Sequence, residues 1–159
     1  MRTLSLIKLI ATPRLRGAAL IRAASRGGWT AYIWRNLLMS LHGCDVSTKF
    51  AIQPDLHVPH PIGIVIGEGV RIGRDVTIYH DVTLGRDRRG EYPVIEDGAC
   101  IMPGAIIIGG VTVGRNAVIG AHAVVTQSVP DDHVLLPTAN SRIAPLKQRH
   151  DHSRGWPYL

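Results

Sequence analysis

The feature that most constrains this chain is an apolar residue that returns every six positions for most of the stretch from residue 66 to residue 129. A second, smaller series follows four positions later in each unit. A period of six fits neither an α-helix nor a plain strand. It is typical of a solenoid with three short strands per coil, about eighteen residues in all. The first series is Ile66, Ile72, Ile78, Leu84, Ile95, Ile101, Ile107, Val113, Ile119 and Val125; the second is Val70, Val76, Val82, Ala99, Ala105, Val111, Ala117, Ala123 and Val129.

Glycines mark the boundaries of the repeat units. Gly67, Gly73, Gly85, Gly114 and Gly120 each directly follow a residue of the first series. We expect them to occupy corners whose φ values other residues adopt only with strain. A sandwich of short strands is the alternative, but its turns fall every 8 to 12 residues. The sequence therefore predicts an all-β repeat fold, a parallel β-helix.

Three parts follow along the chain. We predict a helical cap over residues 1–43, the repeat over residues 44–136 with a protruding loop at 85–94, and a basic tail over residues 137–159. After the opening MRTLSLIKLIATP, the cap contains helices from about Leu15 to Arg26 and from about Trp29 to Leu41. The second helix places Trp34, Leu37, Leu38 and Leu41 on one face. These helices are expected to cover the open end of the solenoid, to lie on a membrane, or both.

The net charge of +6 is unevenly distributed. Residues 1–44 hold seven basic and no acidic side chains, whereas residues 45–141 hold seven basic and eleven acidic ones. An acidic repeat body does not suit nucleic acid, and a basic, apolar N-terminus suits anionic lipid. Two cysteines, Cys44 and Cys100, provide no disulfide framework. We expect a reduced cytoplasmic protein, with the option of contact with the inner face of the membrane through residues 1–43.

Two irregularities interrupt the repeat. The first is LHVPHPIGIVIGE, where the phase slips by two residues and His60 stands between Pro59 and Pro61. Prolines restrict the backbone on both sides of that histidine, and an irregular corner re-aims a side chain. The second is GRDRRGEYPV, a polar segment that predicts a loop leaving the coil wall.

The runs HPIGIVIGEGVRIGRDVTIYHDVTLG and GAIIIGGVTVGRNAVIGAHAVVTQSVP carry a family resemblance. They resemble the hexapeptide-repeat acyltransferases, most closely the serine acetyltransferase branch and the shorter exopolysaccharide acetyltransferases, over about residues 44–143. The resemblance implies a left-handed β-helix, a homotrimer, and acetyl-CoA as co-substrate in grooves between subunits. It implies no metal.

The same resemblance implies a catalytic pair. The family's catalytic histidine stands just before GIVIGE, which is His60 here, and its orienting aspartate lies fifteen residues earlier, at Asp45. Imidazole titrates near neutral pH and can take the proton of an attacking hydroxyl. A carboxylate on the other ring nitrogen fixes the tautomer and stabilises the imidazolium, as in serine hydrolases. Fifteen residues is slightly less than one coil, so Asp45 is expected near the same corner as His60.

Further site residues follow from the resemblance. Small side chains and cations of the C-terminal coils are expected at the donor, and residues around the GIVIGE motif and the protruding loop are expected at the acceptor. For CoA these are Gly104, Ala105, Gly120, Ala121, Arg115 and Arg142. For the acceptor they are Glu68, His80, Tyr92 and Arg86.

Departures from the family bear on the acceptor. Pro59 stands where serine acetyltransferases have an aspartate, and Glu91 and Tyr92 stand where they have an arginine-histidine pair. A serine carboxylate would be repelled by Glu91, so we expect the hydroxyl of a sugar or glycan precursor as the main acceptor. Arg86, with two more arginines in the loop, keeps serine O-acetyltransferase as the alternative.

Two other functional classes are open to such a solenoid. A zinc hydratase like the γ-class carbonic anhydrases needs three histidines, two of them five apart, whereas His57 and His60 are three apart. A non-catalytic scaffold is the remaining alternative, and it predicts that His60 is dispensable.

Overall fold

A computed structural model of the chain describes residues 13–53, 55–137 and 142–145. The predicted opening segment, residues 1–12, lies outside these ranges, as does most of the predicted tail. Helix α1 spans Pro13–Ala24 and helix α2 spans Trp29–His42. Gly43 ends α2 in the left-handed conformation (φ 62°), and its N–H donates to the Met39 carbonyl at 2.9 Å. The two helices predicted here are confirmed, with bounds that differ by at most two residues.

From Asp45 the chain forms short strands that build three walls. Sheet A contains β1 (Asp45–Val46), β3 (Val65–Ile66), β6 (Thr83–Gly85), β9 (Ile106–Ile108) and β12 (Val124–Val125). Sheet B contains β2 (Ala51–Ile52), β4 (Arg71–Ile72), β7 (Val94–Ile95) and β10 (Thr112–Val113). Sheet C contains β5 (Thr77–Ile78), β8 (Cys100–Ile101), β11 (Val118–Ile119), β13 (His133–Leu136) and β14 (Arg142–Pro145). Within the described residues all pairings are parallel except β13 with β14.

The strand register confirms the repeat and locates its irregularities. Thr83 pairs with Val65, eighteen positions earlier, as a regular coil requires. Val65 pairs with Asp45, twenty positions earlier, so the first coil carries two extra residues. Ile106 pairs with Thr83, twenty-three positions earlier, so the protruding loop adds five. The fold is a left-handed parallel β-helix of about four turns with a short helical segment before it.

Side chains of the six-residue series fill the space between the three walls. Ile66, Ile78, Ile101 and Ile107 are each at most 2% exposed. The smaller second series is buried beside them at the corners. Leu20, Ile21 and Ala24 of α1 join the same cluster, so α1 closes the first coil with apolar side chains.

The conformation predicted for the boundary glycines is wrong. Gly67, Gly73, Gly85, Gly114 and Gly120 do not have positive φ; the positive values fall at other corner positions. Four of the five are required by close packing instead. For example, a methyl group on Gly120 would lie 2.7 Å from Pro137 Cδ, and one on Gly114 would lie 2.5 Å from the Asp131 backbone nitrogen. Among the described residues, the non-glycine residues with positive φ are Asp75, Asp81, Asn116, His122 and Asp132.

The predicted apolar face of α2 does not pack as a unit. Ala31, Leu38 and His42 are buried, and Leu38 joins the apolar core of the solenoid. Trp34, Leu37 and Leu41, predicted to share the face of Leu38, are exposed together with Trp29, Tyr32, Ile33 and Met39. None of the described helices is long and apolar enough to cross a membrane.

Candidate active site

Corners that lead from sheet C to sheet A stack into one edge of the β-helix, named here the histidine edge (residues 60–64, 79–82, 102–105 and 120–123). Backbone hydrogen bonds join its levels. Asp81 N–H donates to the Ile62 carbonyl at 2.9 Å, and Gly104 N–H donates to the His80 carbonyl at 3.0 Å. His122 N–H donates to the Pro103 carbonyl at 2.9 Å. The irregular corner that contains His60 therefore lies in line with the corners two and three coils further on, which contain small residues.

The extra residues of the first coil lie at this edge. His57 pairs with Thr77 on sheet C, and Val65 opens β3 on sheet A, so eight positions separate them where a regular unit has six. His60 lies within that longer corner and is exposed. Its ring centroid lies 5.9 Å from that of His80 and 6.3 Å from that of Tyr79. The irregularity thus projects the imidazole next to the aromatic residues of the following coil.

Tyr79 and His80 form the polar and aromatic surroundings of His60. Burial raises the pKa of the Tyr79 phenol, and the neighbouring Cys100 raises it further. The phenol therefore stays neutral at physiological pH. The Nδ1 atom of His80 is buried and has no hydrogen-bond partner in the described structure.

Asp45 opens β1 beside the histidine edge, but its carboxylate is engaged elsewhere. Its Oδ1 atom accepts from Arg35 Nη2 at 2.6 Å and from Arg35 Nε at 3.1 Å. In the described part of the chain no hydrogen bond joins Asp45 to His60. The pairing of these two residues stays a prediction, and Arg35 of α2 is a contact that no sequence spacing indicated.

A cleft of about 540 Å³ lies on the outer face of sheet A, and it is named here the sheet A cleft. The strands of sheet A are only two or three residues long. The cleft therefore crosses the whole wall, from Asp45 at the start of β1 to Arg86 just after the end of β6. Of the acceptor residues predicted from sequence, the cleft brings together Glu68, Tyr92 and Arg86, while His80 lies outside it. Its lining residues also include Tyr32, Arg35, Ser47, Thr48 and Lys49.

Tyr92 is fixed in the cleft wall by two glycines. A methyl group on Gly67 would lie 2.5 Å from Tyr92 Cε1, and one on Gly69 would overlap the other side of the same ring. The ring packs against the apolar core as well. The Gly-Glu-Gly sequence around Glu68 therefore provides the seat for the aromatic ring, and it holds the Glu68 backbone beside that ring.

The protruding loop is held by one carboxylate. Asp87 Oδ1 accepts from the N–H of Arg89 at 2.9 Å and from the N–H of Glu91 at 3.0 Å. This turn directs the Glu91 side chain toward the following coil, where its Oε2 would lie 2.6 Å from a methyl group on Gly110. Glu91 does not line the cleft, whereas Arg86 does. The repulsion expected between Glu91 and an acceptor carboxylate is therefore not a property of this cleft.

Four of the residues predicted to bind CoA lie on the histidine edge: Gly104, Ala105, Gly120 and Ala121. Contacts within the subunit already require both glycines, because a methyl group on Gly104 would overlap the His122 ring and one on Gly120 would press against Pro137. The exposed His122 ring rests on Gly104, whereas Ala105, Gly120 and Ala121 add no long side chain to the edge.

The two predicted cationic contacts are not on that edge. Arg115 lies at the corner between sheets B and C, where its Nε is 3.2 Å from Asp131 Oδ2. Arg142 opens β14, which pairs with β13, and its side chain is outside the described part of the structure. Neither position adds a described cation to the histidine edge.

The cysteines and the metal-ligating side chains form no further site among the described residues. Cys44 and Cys100 are both buried and form no disulfide. Burial raises the pKa of Cys44, which keeps the thiol protonated at neutral pH. Over the described ranges, no three His, Cys, Asp or Glu side chains are grouped so that they could hold a metal ion.

Comparisons with known proteins agree with this geometry. Residues 92–127 match the family model "Bacterial transferase hexapeptide (six repeats)". A Schizosaccharomyces pombe protein with the provisional name serine acetyltransferase is 34% identical over 122 residues, which is 75% of this chain and 45% of that protein. The chain thus spans less than half the length of this curated relative.

Solved structures give the same result. Serine acetyltransferase from Neisseria gonorrhoeae in complex with serine superposes with a TM-score of 0.75 at 27% identity, over 90% of this chain and 63% of that one. Serine acetyltransferase from Brucella abortus strain S19 in complex with coenzyme A gives a TM-score of 0.77 at 26% identity, over 86% of this chain and 58% of that one.

The repeat and the fold show that the chain is built on the hexapeptide repeat of the bacterial transferase family model. In sequence and in fold it is similar to serine acetyltransferases.

Proposed function

We propose that this protein is an O-acetyltransferase that moves the acetyl group of acetyl-CoA to a hydroxyl, with His60 as general base. One observation carries the proposal. His60 and the small residues at 104–105 and 120–121 lie on a single edge, two to three coils apart. At about 4.8 Å per coil, that separation is about 10 to 15 Å, a distance that an extended pantetheine arm covers.

The reaction requires one proton to move twice. His60 accepts the acceptor hydroxyl proton while the oxygen forms a bond to the thioester carbonyl carbon. When the carbon–sulfur bond breaks, the imidazolium returns that proton to the leaving thiolate of CoA. The neutral Tyr79 phenol beside His60 carries no charge that would oppose this cycle.

The comparisons favour serine over a sugar as the acceptor, which reverses the order expected from sequence. A relative in the same fold class is solved in complex with serine, and the sheet A cleft offers charges that suit an amino acid. Arg86 can receive a carboxylate and Glu68 can receive an ammonium group. A neutral sugar carries no pair of charges that would match these two side chains.

A homotrimer completes the site in this proposal. His60 does not line the sheet A cleft of its own subunit, although both border the same sheet. Val65, Ile106 and Val124 form an exposed apolar stripe on the outer face of that sheet. We infer that this stripe packs on a neighbouring subunit, so that the histidine edge of one copy faces the cleft of the next.

The acceptor assignment is tested by thiol release from acetyl-CoA with serine, free sugars and nucleotide-sugars as acceptors. Serine is expected to give the highest kcat/KM. Replacing Arg86 by alanine is expected to raise the KM for serine by about tenfold, because a charge-assisted hydrogen bond contributes about 1.5–3 kcal/mol.

Arg88→Ala is the matched control, because Arg88 is an exposed cation of the same loop outside the cleft. It is expected to leave the KM for serine within about twofold. A sugar that outperforms serine, with no response to Arg86→Ala, would return the acceptor to the glycan class.

We also propose that the N-terminal helices contact an anionic membrane at its cytoplasmic face. Support comes from α2, where Trp29 is 76%, Tyr32 55% and Ile33 53% exposed. Aromatic side chains of this kind favour the interface between lipid and water. The complete lack of acidic residues in residues 1–44 adds attraction to anionic headgroups.

Vesicle sedimentation tests the membrane contact. The protein is expected to bind phosphatidylglycerol vesicles and not phosphatidylcholine vesicles, and to be released by salt. The double variant Trp29→Ser/Ile33→Ser is expected to bind about tenfold more weakly, because it loses buried apolar area. Asn36→Ser, an exposed polar change on the same helix, is the control. Concentration-dependent self-association that the double variant abolishes, without lipid binding, would assign the face to a second copy instead.

A further inference from the structure

Helix α1 presents one glycine on the face that packs against the β-helix. Gly17, Leu20, Ile21 and Ala24 follow the spacing of a single helical stripe, and all four are buried. Three of them fill the end of the apolar core. Gly17 has no side chain to contribute there, and glycine in a helix interior is less favourable than alanine. Its presence on this face calls for a packing reason.

The packing reason is Pro61. A methyl group on Gly17 would overlap both Cβ and Cγ of the Pro61 ring, and it would lie 3.5 Å from Cε1 of His42. Pro61 is buried, so its ring has no free space into which to retreat. The absence of a side chain at residue 17 lets the backbone of α1 lie directly on the proline.

Pro61 directly follows His60, the proposed general base, in the chain. The His60 carbonyl accepts from the Ile62 N–H at 2.9 Å, which closes a tight turn around the proline. One residue further on, Gly63 N–H donates to the His42 carbonyl at the end of α2 at 3.2 Å. The corner that carries the exposed imidazole is thus held from below by both helices.

Helix α1 is itself firmly attached to the first coil. Arg22 Nη2 donates to the Leu56 carbonyl at 2.9 Å, four residues before His60. Its buried apolar stripe adds the larger part of the attachment, because burial of apolar side chains is the dominant favourable contribution to packing. Motion of α1 relative to Pro61 is therefore restricted.

We propose that α1 is a positioning element for the general base: the Gly17–Pro61 contact sets the direction of His60 toward the acceptor hydroxyl. The inference rests on the proposed function, in which His60 is the base, and extends it to the N-terminal helices. Gly17 acts through Pro61 and touches no substrate. The helical cap then serves the chemistry as well as covering the solenoid end.

The test is Gly17→Ala, assayed by thiol release from acetyl-CoA with the best acceptor. The added methyl group displaces Pro61, so kcat is expected to fall by about 10- to 100-fold, the range for a misplacement of about 1 Å. The KM for acetyl-CoA is expected to stay within about twofold. The His60 imidazole signals in NMR spectra, assigned with His60→Ala, are expected to shift. The melting temperature is expected to fall without loss of the fold, because overpacking against Pro61 outweighs the higher helix propensity of alanine.

Ala19→Gly is the matched control. It changes the helix propensity of α1 by a similar amount in the opposite direction, and residue 19 lies on a different face from Gly17. Its kcat is expected to remain within about twofold of the parent. A loss of kcat in this control equal to that in Gly17→Ala would assign the effect to helix stability and overturn the proposal.

Other outcomes also decide the inference. A normal kcat in folded Gly17→Ala would overturn it, whereas a normal rate in His60→Ala would overturn the proposed function itself, so the two failures are distinguishable. If Gly17→Ala does not fold, Pro61→Ala replaces it, because this change keeps Cβ and removes the ring that rests on Gly17. A fall in kcat of about fivefold or more with an intact fold supports positioning, and an unchanged kcat refutes it.

Discussion

Replacing His60 by alanine is expected to lower the rate of acetyl transfer by at least about 100-fold, the scale of a lost general base. Without the imidazole, the acceptor hydroxyl must attack the thioester while still protonated or pass its proton to water. The measurement is release of the CoA thiol in the presence of saturating serine. The melting temperature should be unchanged, because the side chain is exposed and makes no hydrogen bond in the described structure.

His57→Ala is the matched control for this experiment. His57 is also exposed and lies three residues earlier, but it is not on the histidine edge. Its backbone pairs with Thr77 of sheet C, and its Nε2 atom lies 3.8 Å from Asp75 Oδ1. Its loss is expected to change the rate by less than about twofold. Equal rates in His60→Ala and the parent would refute the base and favour the non-catalytic scaffold.

The sequence predicted the walls of this molecule because burial repeats with the coil. Each wall offers one inward position per six residues, and an apolar ladder is the only pattern that fills a narrow column in every coil. The irregular corner was also predictable. A phase slip of two residues has to be absorbed somewhere, and two prolines around His60 mark the place where the chain cannot follow a regular path.

Corner conformation was less accessible from sequence. The five boundary glycines were expected to hold the positive φ values, yet Asp75, Asp81, Asn116 and His122 adopt φ values between 52° and 56° instead. Short polar side chains tolerate the left-handed region because they bond locally. In at least one case the side chain rests on a glycine of the preceding coil, as His122 does on Gly104. The glycine and the polar residue therefore share one corner column.

The sheet A cleft could be predicted only in part. Glu68, Arg86 and Tyr92 were assigned to an acceptor site from their motifs, and the structure places them together. The direction of Glu91 depends on a turn held by Asp87, and sequence alignment alone places Glu91 where it would repel a carboxylate. Arg35 reaches Asp45 from α2 through a tertiary contact. Neither detail leaves a spacing signal in the chain.

Replacing Ile107 by alanine is expected to lower the free energy of unfolding by about 2–5 kcal/mol, the range for large-to-small changes in a core. Ile107 is fully buried at the centre of the ladder, in the strand that joins β6 to β12. The coils above and below cannot close the cavity, because the backbone spacing between paired strands is fixed at about 4.8 Å. Urea denaturation followed by circular dichroism measures the change, which in a solenoid is transmitted to the neighbouring coils.

Ile106→Ala is the matched comparison, since it removes the same atoms one position earlier, where the side chain points outward and is 36% exposed. In an isolated subunit it should cost less than about 1 kcal/mol. If sheet A packs on a neighbouring subunit as proposed, Ile106→Ala instead weakens assembly. The loss of stability then depends on protein concentration, whereas the loss caused by Ile107→Ala within the folded subunit does not. Equal losses at residues 106 and 107 at every concentration would contradict the inward and outward alternation on which both the core and the proposed interface depend.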